Sequence, residues 1–530
     1  METPRILIAD AVSTSCDSIL SQRGLIVERA VGRTPVELTE LVGGFDGLIV
    51  RSAVKVNADL IGGMDRMRAI GRAGVGVDNI DVAAATERGI IVMNTPDGNT
   101  ISAAEHTVAL LFSLLRSIPS ANASLRSGVW DRKSFVGTEL MGKKVGVIGL
   151  GRIGREVARR LATFGTTVQG FDPMLSAMAV GELGLLPRSV EEILEECDII
   201  TLHVPLLPET RAMIGADQIS RMKNGSFIVN CARGGIVDES ALLAALNEGA
   251  IGGAALDVFD GEPPQFPNPL IEHPRVVATP HIAASTHEAQ ERVAVDIAIQ
   301  MADYFEGKGA RGVVNAGGLE ASFTGAAQPL MRAAEMLGAI LGQLVRNHDV
   351  DCALTVYGGD ASSIVRGLGA SFLAGMVSLG LDDTVNAINA SMLAERNRIR
   401  LVAEGAGTHA RYTTLITAEV SDGRDRRSAA MSVFGWTEPH LVRIDDLWVD
   451  VVPAGDMILF ENVDRPGVLA AVSNVLASHD VNIASVSLGR REETGHAVTI
   501  MCIDSELSDQ ALEHLGGLKV IERVRTVHLG

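Results

Sequence analysis

Cysteine is scarce in this chain: five residues in 530, at Cys16, Cys197, Cys231, Cys352 and Cys502. Odd in number, widely scattered and without metal-ligand spacing, they argue against a disulfide framework or a structural zinc and for a reducing compartment, with a cytoplasmic location as the default. Long apolar runs are lacking too. The nearest, Val108 to Leu115, stops after eight residues, against the roughly 18 that a membrane span requires, so the protein is expected to be soluble. The opening METPRILIAD passes straight into a strand pattern, without a basic region and a long apolar stretch behind it, so no secretory signal is expected. Aromatic residues make up only 4% of the chain. Positive charge is in deficit: 46 Lys and Arg face 65 Asp and Glu, a formal net charge of −19. That field repels nucleic acid and anionic membrane, so neither is an expected partner, and an anionic substrate needs a local cationic pocket.

What is present is ordinary for a soluble globular protein: 47% hydrophobic and 21% charged residues, with 56 glycines that fit many tight βα turns. At roughly 100–200 residues per domain, the length predicts three or four units. Short apolar runs alternate with helix-like stretches from the start, in RILIAD (5–10), DGLIV (46–50), MRAIGRAG (67–74) and GIIVMN (89–94). This is the pattern of a parallel sheet covered on both faces. A long helix is predicted to begin at Ser102, where SAAE (102–105) has capping-box spacing. The alternation restarts with KVGVIGLG (144–151) and runs through TTVQGFD (166–172), DIITLHV (198–204), SFIVNCA (226–232), GAALDVF (253–259) and VVATPHI (276–282), a second doubly wound sheet. HEAQERVAVDIAIQMADYFEGK (287–308) reads as one amphipathic helix able to carry the chain back to the first unit. After a small-residue junction at 316–325, residues 326–452 mix helix and strand patterns without a chemical motif, and the remainder reads as a ferredoxin-like βαββαβ unit.

GLGRIG (149–154) follows a strand, opens a helix and is succeeded by Asp172 at the end of the next strand. Gly149 permits the tight turn, Gly151 lets backbone approach a pyrophosphate at the helix N-terminus, and Gly154 allows close helix packing. Asp172 accepts from ribose hydroxyls and repels a 2′-phosphate, so NAD is favoured over NADP. Arg152, inside the loop, is read as a pyrophosphate contact. A nicotinamide enzyme also needs a proton donor or acceptor. Of twelve histidines, His281 ends the strand VVATP, on the carboxyl edge where ligands of doubly wound sheets bind. Glu262, after the strand end at 257–259, would stabilise its cation. Arg233, in CARGGIVDE (231–239), stands at a third strand end beside Gly234 and Gly235, which would leave room for ligands. Alone, such an arginine reads equally well as an ion-pairing residue in a tight turn. Beside the other two it takes a role set by charge: Arg233 holds a substrate carboxylate and polarises the neighbouring carbonyl, His281 exchanges the hydroxyl proton, and Glu262 tunes His281.

In that order and spacing, GLGRIGRE, CARGGIVDE, ALDVFDGEPP and TPHIAAST resemble the D-isomer-specific 2-hydroxyacid dehydrogenases. The resemblance implies an α/β protein: a Rossmann-type doubly wound parallel sheet joined to a split flavodoxin-like substrate domain. It places the catalytic set on Arg233, Glu262 and His281 and adds cofactor contacts from Ile153, Cys231, Ala232, Asp257 and Ala284, with no metal. RSAVKV (51–56), GRAGVGVDNID (71–81) and NTPDGNTISAAEH (94–106) are most similar to the branch of that family that acts on a phosphorylated acid. There Arg51, Arg72 and Arg132 would hold the phosphate, guanidinium being suited to bidentate contact, and Ser52, Gly74 and Asn99 would complete the substrate site. The long form of that branch also carries an α+β intervening domain and a C-terminal ACT domain. This implies residues 1–97 and 287–315 for substrate binding, 98–286 for NAD, 316–452 for the intervening domain and 453–530 for the ACT domain. In NVDRPGVL (462–469) and DVNIAS (480–485), Asp464 and Asn482 stand where serine-sensitive relatives grip serine, so an L-serine effector is implied. The helix after Ser102 and the ACT domain resemble family subunit interfaces, which implies a homotetramer. Two rival readings share the fold: a dehydrogenase of non-phosphorylated acids of the lactate or glyoxylate type, with less reason for three arginines, and a non-catalytic NAD-sensing corepressor.

Overall fold

The computed structural model of the chain describes residues 2–345, 349–378, 385–435, 437–490 and 495–529. It divides into two compact units, Met1–Asn94 with Ile297–Gly530, and Thr95–Asp296. The division falls inside the helix His287–Phe305, so that helix returns the chain to the unit in which it began.

In the first unit, β1 (Arg5–Ile8), β2 (Ile26–Arg29), β3 (Gly47–Val50), β4 (Ala69–Arg72) and β5 (Ile91–Asn94) form a parallel sheet in the order β2-β1-β3-β4-β5, the flavodoxin arrangement. All four residues of β3 are buried, whereas β2 is largely exposed. The sequence patterns assign no strand at β2: its apolar start, LIV (25–27), gives way at once to Glu28 and Arg29, as an edge strand with solvent on its flank allows. Glycines within the sheet let the returning helix close on it. A Cβ on Gly47 would lie 2.7 Å from Met301 Cε, and one on Gly71 would lie 2.8 Å from Ile297 Cγ1.

The second unit holds β6 (Lys144–Ile148), β7 (Thr167–Phe171), β8 (Leu186–Pro187), β9 (Ile199–Leu202), β10 (Ser226–Asn230), β11 (Ile251–Leu256) and β12 (Val276–Ala278). They are parallel in the order β12-β11-β10-β9-β6-β7-β8, with the chain reversing its direction of travel between β6 and β9. That switch point opens a crevice at the carboxyl ends of the strands. The long helix runs Thr100–Leu115, two residues earlier than its capping-box spacing predicts. Ser102 is buried inside it and donates to Asn99 O at 3.0 Å, so SAAE is interior sequence rather than a cap.

Later in the first unit, β13 (Val350–Tyr357), β14 (Ile399–Ala406), β15 (Leu415–Ser421), β16 (Arg426–Phe434), β17 (Glu438–Ile444) and β18 (Leu447–Val451) form a sheet in the order β14-β13-β15-β16-β17-β18. Only the β13–β14 pair is parallel. The helices Gln328–Leu344 and Val365–Val377 pack closely on each other, since a Cβ on Gly338 would lie 2.0 Å from Phe372 O and one on Gly375 1.9 Å from Glu335 O. The last sheet, β19 (Gly455–Val463), β20 (Ile483–Arg490), β21 (His496–Ile503) and β22 (Ile521–Leu529), is antiparallel in the order β20-β21-β19-β22. With the helices Val468–Ser478 and Asp509–Gly516 it makes the βαββαβ unit the sequence predicts. One apolar core runs from Leu337, Leu341 and Phe372 through Val356 and Ile416 to Leu459, Ile500 and Val527, so the β13–β18 and β19–β22 regions are packed as a continuous body. Buried Arg427 ties them together as well, pairing with Asp445 at 2.9 Å and Glu461 at 3.0 Å. Among the described residues no single helix is long and apolar enough to cross a membrane.

Candidate active site

β6 ends at Ile148 and the helix Arg152–Ala162 begins after Gly151. Between them Gly149 adopts a positive φ of 94°, which side-chain-bearing residues resist. A Cβ on Gly154 would lie 1.9 Å from Gly149 O, so the third glycine does bring helix and turn together. A Cβ on Gly151 would meet nothing within 4 Å. The crest of the turn is therefore open, and no side chain caps the first N–H groups of the helix, which suits an anionic pyrophosphate. Asp172, just past β7, accepts from Leu150 N at 2.8 Å and from Met174 N at 2.9 Å, and each carboxylate oxygen retains capacity for a further donor. These residues fit NAD. Arg152, exposed, has its Nε 2.5 Å from Asp97 Oδ1.

The loops after β10, β11 and β12 carry Arg233, Glu262 and His281. Glu262 Oε1 accepts from Phe259 N at 3.1 Å, and Oε2 lies 2.6 Å from His281 Nδ1. With Nδ1–H donated to this carboxylate, Nε2 is the nitrogen left to exchange a proton. The Glu262 hydrogen bond raises the His281 pKa; burial opposes it, the charges of Glu262 and Asp257 add to it, and Arg233 subtracts. His281 also sits at a φ of 53°, a left-handed conformation that a non-glycine residue adopts only where its surroundings hold it. By contrast His203, beneath the glycine turn, is pushed down to about 4 by burial and stays neutral. Arg233 Nη1 donates to Ala232 O at 2.7 Å, and Asn230 brackets this turn by donating to Arg233 O at 2.8 Å and accepting from Ala232 N at 3.1 Å. Gly234 has a different purpose from the expected one. A Cβ there would lie 1.8 Å from Phe259 O, so its bareness admits the backbone of the Glu262 loop rather than a ligand.

Asp257, the expected cofactor contact at the end of β11, is fully buried with its carboxylate turned into the protein. It accepts from Ile282 N and Ala283 N, both at 2.9 Å, from Thr279 Oγ1 at 2.5 Å, and lies 3.2 Å from His106 Nε2. Burial would raise its pKa, but these hydrogen bonds outweigh burial and hold the carboxyl below its ordinary range. His106 and Thr279 fall inside the quoted motifs NTPDGNTISAAEH and TPHIAAST but take no role from them, because only the fold sets them against Asp257. Asn230 had a signal, a polar residue closing the apolar run SFIVN. Cys231 is buried, and burial pushes its thiol up to about 12; Ile153, Ala232 and Ala284 are partly buried.

In the first unit, Arg51 follows β3 and Arg72 ends β4, adjacent strands in register at Val50 and Arg72. Arg51 N donates to Asp10 Oδ2 at 2.7 Å, which fixes the start of the loop carrying exposed Ser52. Gly74 leaves space for a neighbour: a Cβ there would lie 1.7 Å from Arg72 Nη1. In the second unit, Asn99 caps the long helix without a side-chain hydrogen bond, its buried Oδ1 lacks a donor among the described residues, and Arg132 is exposed in the segment before β6.

Asp464 and Asn482 do not come together within this chain. Asp464 Oδ2 accepts from Arg490 Nη1 at 2.8 Å, whereas Asn482 Nδ2 donates to Asp504 Oδ2 at 2.6 Å. A cavity of about 460 Å³ lies beside Asp464, Arg490, Gly467 and Asn462. Asn462, only 1% exposed and with an Oδ1 lacking a donor among the described residues, was missed; its signal is an amide in the apolar strand MILFENV.

Residues 108–283 match the model of the D-isomer specific 2-hydroxyacid dehydrogenase NAD binding domain. Residues 326–445 match the D-3-phosphoglycerate dehydrogenase intervening domain, and 457–515 match the ACT domain. The chain is 37% identical over 525 residues to the D-3-phosphoglycerate dehydrogenase of Bacillus subtilis, covering 99% of both chains. It is 39% identical over 527 residues to that of Methanocaldococcus jannaschii, covering 99% of this chain and all of the other. Among solved structures, a glyoxylate reductase from Paecilomyes thermophila is 28% identical with a TM-score of 0.55, covering 59% of this chain and 99% of its own.

Proposed function

This chain belongs to the D-3-phosphoglycerate dehydrogenases of the D-isomer-specific 2-hydroxyacid dehydrogenase family, and from that premise we propose that it oxidises 3-phospho-D-glycerate to 3-phosphohydroxypyruvate, the entry to phosphorylated serine synthesis. The observation that carries the reading is the Glu262–His281 pair, 2.6 Å apart on the sheet edge that also bears the Gly149–Gly154 turn. NAD, when bound, supplies the hydride acceptor; Gly149, Gly151, Ile153, Gly154 and Asp172 are the residues to hold it, with Arg152, Cys231, Ala232, Asp257 and Ala284 at its margin. Arg233, anchored through Ala232 O, holds the substrate carboxylate and polarises the C2 oxygen. His281 Nε2 takes the hydroxyl proton as that oxygen becomes a carbonyl, and Glu262 stabilises the imidazolium. Arg51, Arg72 and Arg132 bind the phosphate, supplying locally the positive charge that a net −19 denies globally, and Ser52, Gly74 and Asn99 complete the substrate site.

NADH formation with 3-phosphoglycerate, beside D-lactate as a non-phosphorylated control, tests the assignment. Turnover of lactate alone would give the site to the other branch of the family, and turnover of neither would favour a sensor. Because oxidation needs neutral His281, and the Glu262 hydrogen bond raises its pKa, Glu262→Gln moves the acid limb of the oxidation pH–rate profile to lower pH and reduces its height. A profile unmoved in Glu262→Gln would remove Glu262 from the tuning role. Asp172→Ser removes a carboxylate that accepts ribose hydroxyls and repels phosphate. The ratio of kcat/KM with NAD to that with NADP then falls by about tenfold or more, as expected for loss of a charge-assisted hydrogen bond.

We further propose that the protein is cytoplasmic and tetrameric, and that its ACT unit binds L-serine, with Asp464 and Asn482 supplied from different copies because one chain does not bring them together. Serine titration of the oxidation rate tests this, and an indifferent rate leaves the catalytic assignment standing.

A further inference from the structure

We propose that His106 is a positioning residue for the loop that carries His281, acting through Asp257 and Thr279. The loop leaves β12 at Ala278 and reaches His281 three residues later in a left-handed conformation, so the imidazole direction depends on what holds the backbone on either side. Thr279 is held on one side, Ile282 and Ala283 on the other, and all three donate to the Asp257 carboxylate. His106, on the helix Thr100–Leu115, lies with Nε2 3.2 Å from Asp257 Oδ1 and 3.1 Å from Thr279 Oγ1. Thr279 already donates its one hydroxyl proton to Asp257, so its oxygen can only accept, and a shared Nε2–H of His106 satisfies both atoms. The imidazole thereby closes a ring of buried hydrogen bonds whose other members are the loop itself. Removing it leaves a buried carboxylate one donor short and the threonine oxygen without one, a cost that falls on the loop rather than on the helix.

The assignment differs from that of Glu262. Glu262 touches the His281 ring and sets its proton affinity; His106 touches neither ring nor substrate and sets where the ring stands. The charged groups facing His281 within its unit are Glu262, Asp257 and Arg233, and all three remain in a His106 variant. The pH–rate profile of such a variant therefore keeps the position of its limbs while its plateau falls.

His106→Leu, His106→Gln and Thr279→Val test this in the full-length protein, with two readouts. Amide exchange at Ile282 and Ala283 needs no substrate and stands whether or not the proposed reaction is right; the kinetic readout rests on that reaction. In His106→Leu, exchange at both amides accelerates about tenfold relative to the rest of the unit, and kcat falls roughly 10–100-fold, as for a displaced catalytic group, with KM for 3-phosphoglycerate within about threefold. Glutamine places an amide N–H near the position of Nε2, so His106→Gln recovers most of both losses. Thr279→Val loosens the same amides and supplies the answer should His106→Leu fail to fold. Wild-type exchange and kcat in His106→Leu would overturn the proposal. So would a folded His106→Gln as impaired as His106→Leu, because packing rather than the hydrogen bond would then be responsible. If the wild type does not turn over 3-phosphoglycerate but the exchange pattern holds, the functional reading fails and the positioning role survives.

Discussion

His281→Ala lowers kcat for 3-phosphoglycerate oxidation roughly a thousandfold, within the 10²–10⁴ that a positioned general base contributes, while KM and NAD affinity change only a few-fold. The expectation follows from geometry: Nδ1 is committed to Glu262 at 2.6 Å, so the proton must pass through Nε2. Alanine keeps the Cβ and so does not relieve the left-handed backbone at 281; the bonds of Thr279, Ile282 and Ala283 to Asp257 still hold the loop on its course, so the loss is chemical. Steady-state kinetics in both directions read the effect. Removal of the acid–base group slows oxidation and reduction alike, because the same nitrogen takes the proton in one direction and returns it in the other. A kcat within tenfold of wild type would assign proton exchange to another group, and direct binding of NADH separates that outcome from a damaged cofactor site.

The second large effect is at Arg233. Arg233→Ala removes a charged fork from the substrate carboxylate, two charge-assisted hydrogen bonds at about 1.5–3 kcal/mol each, so kcat/KM falls on the order of 10²–10⁴-fold. Arg233→Lys is the sharper probe. It keeps the charge but loses the planar pair of donors and the bond to Ala232 O that aims them. Near-normal kcat/KM in the lysine variant would mean that Arg233 acts as a point charge and the bidentate clamp is wrong. A loss approaching that of alanine confirms the fork. The Arg233 turn and the Glu262 loop interlock at Gly234, so a lysine that disturbs the turn would also shift Glu262. The pH–rate profile tells the cases apart, since a displaced Glu262 moves the acid limb and a lost clamp does not.

The architecture was legible where local pattern decides it. Parallel strands buried on both faces leave unbroken apolar runs, and the residues that close those runs, Asp172, Arg233 and His281, stand where a doubly wound sheet binds ligands. Edge strands were harder: exposed β2 offers only the short run LIV (25–27) before charged Glu28 and Arg29. What the chain conceals is the second layer of the site. The resemblance names Asp257 as a cofactor contact, but the partners of its carboxylate come from residues 106, 279, 282 and 283, and only the folded sheet brings them together. Gly234 misled for the same reason. A bare glycine next to a strand-end arginine invites a ligand, and here the occupant is Phe259 O of the neighbouring loop. Asn462 is hidden by its apolar neighbours, although an amide in a buried strand is itself a cue.

All five native thiols are buried, and burial pushes those of Cys16, Cys197, Cys231 and Cys352 up to about 12. Because alkylation requires an accessible thiolate, maleimide dyes will find almost no background in the native protein. New cysteines at exposed Val402 of the first unit and Met174 of the second, 70% and 87% exposed, would then be the only reactive positions. A donor–acceptor pair placed there turns the enzyme into its own ruler, able to follow in real time whether the two units change their separation as cofactor, substrate or serine is added.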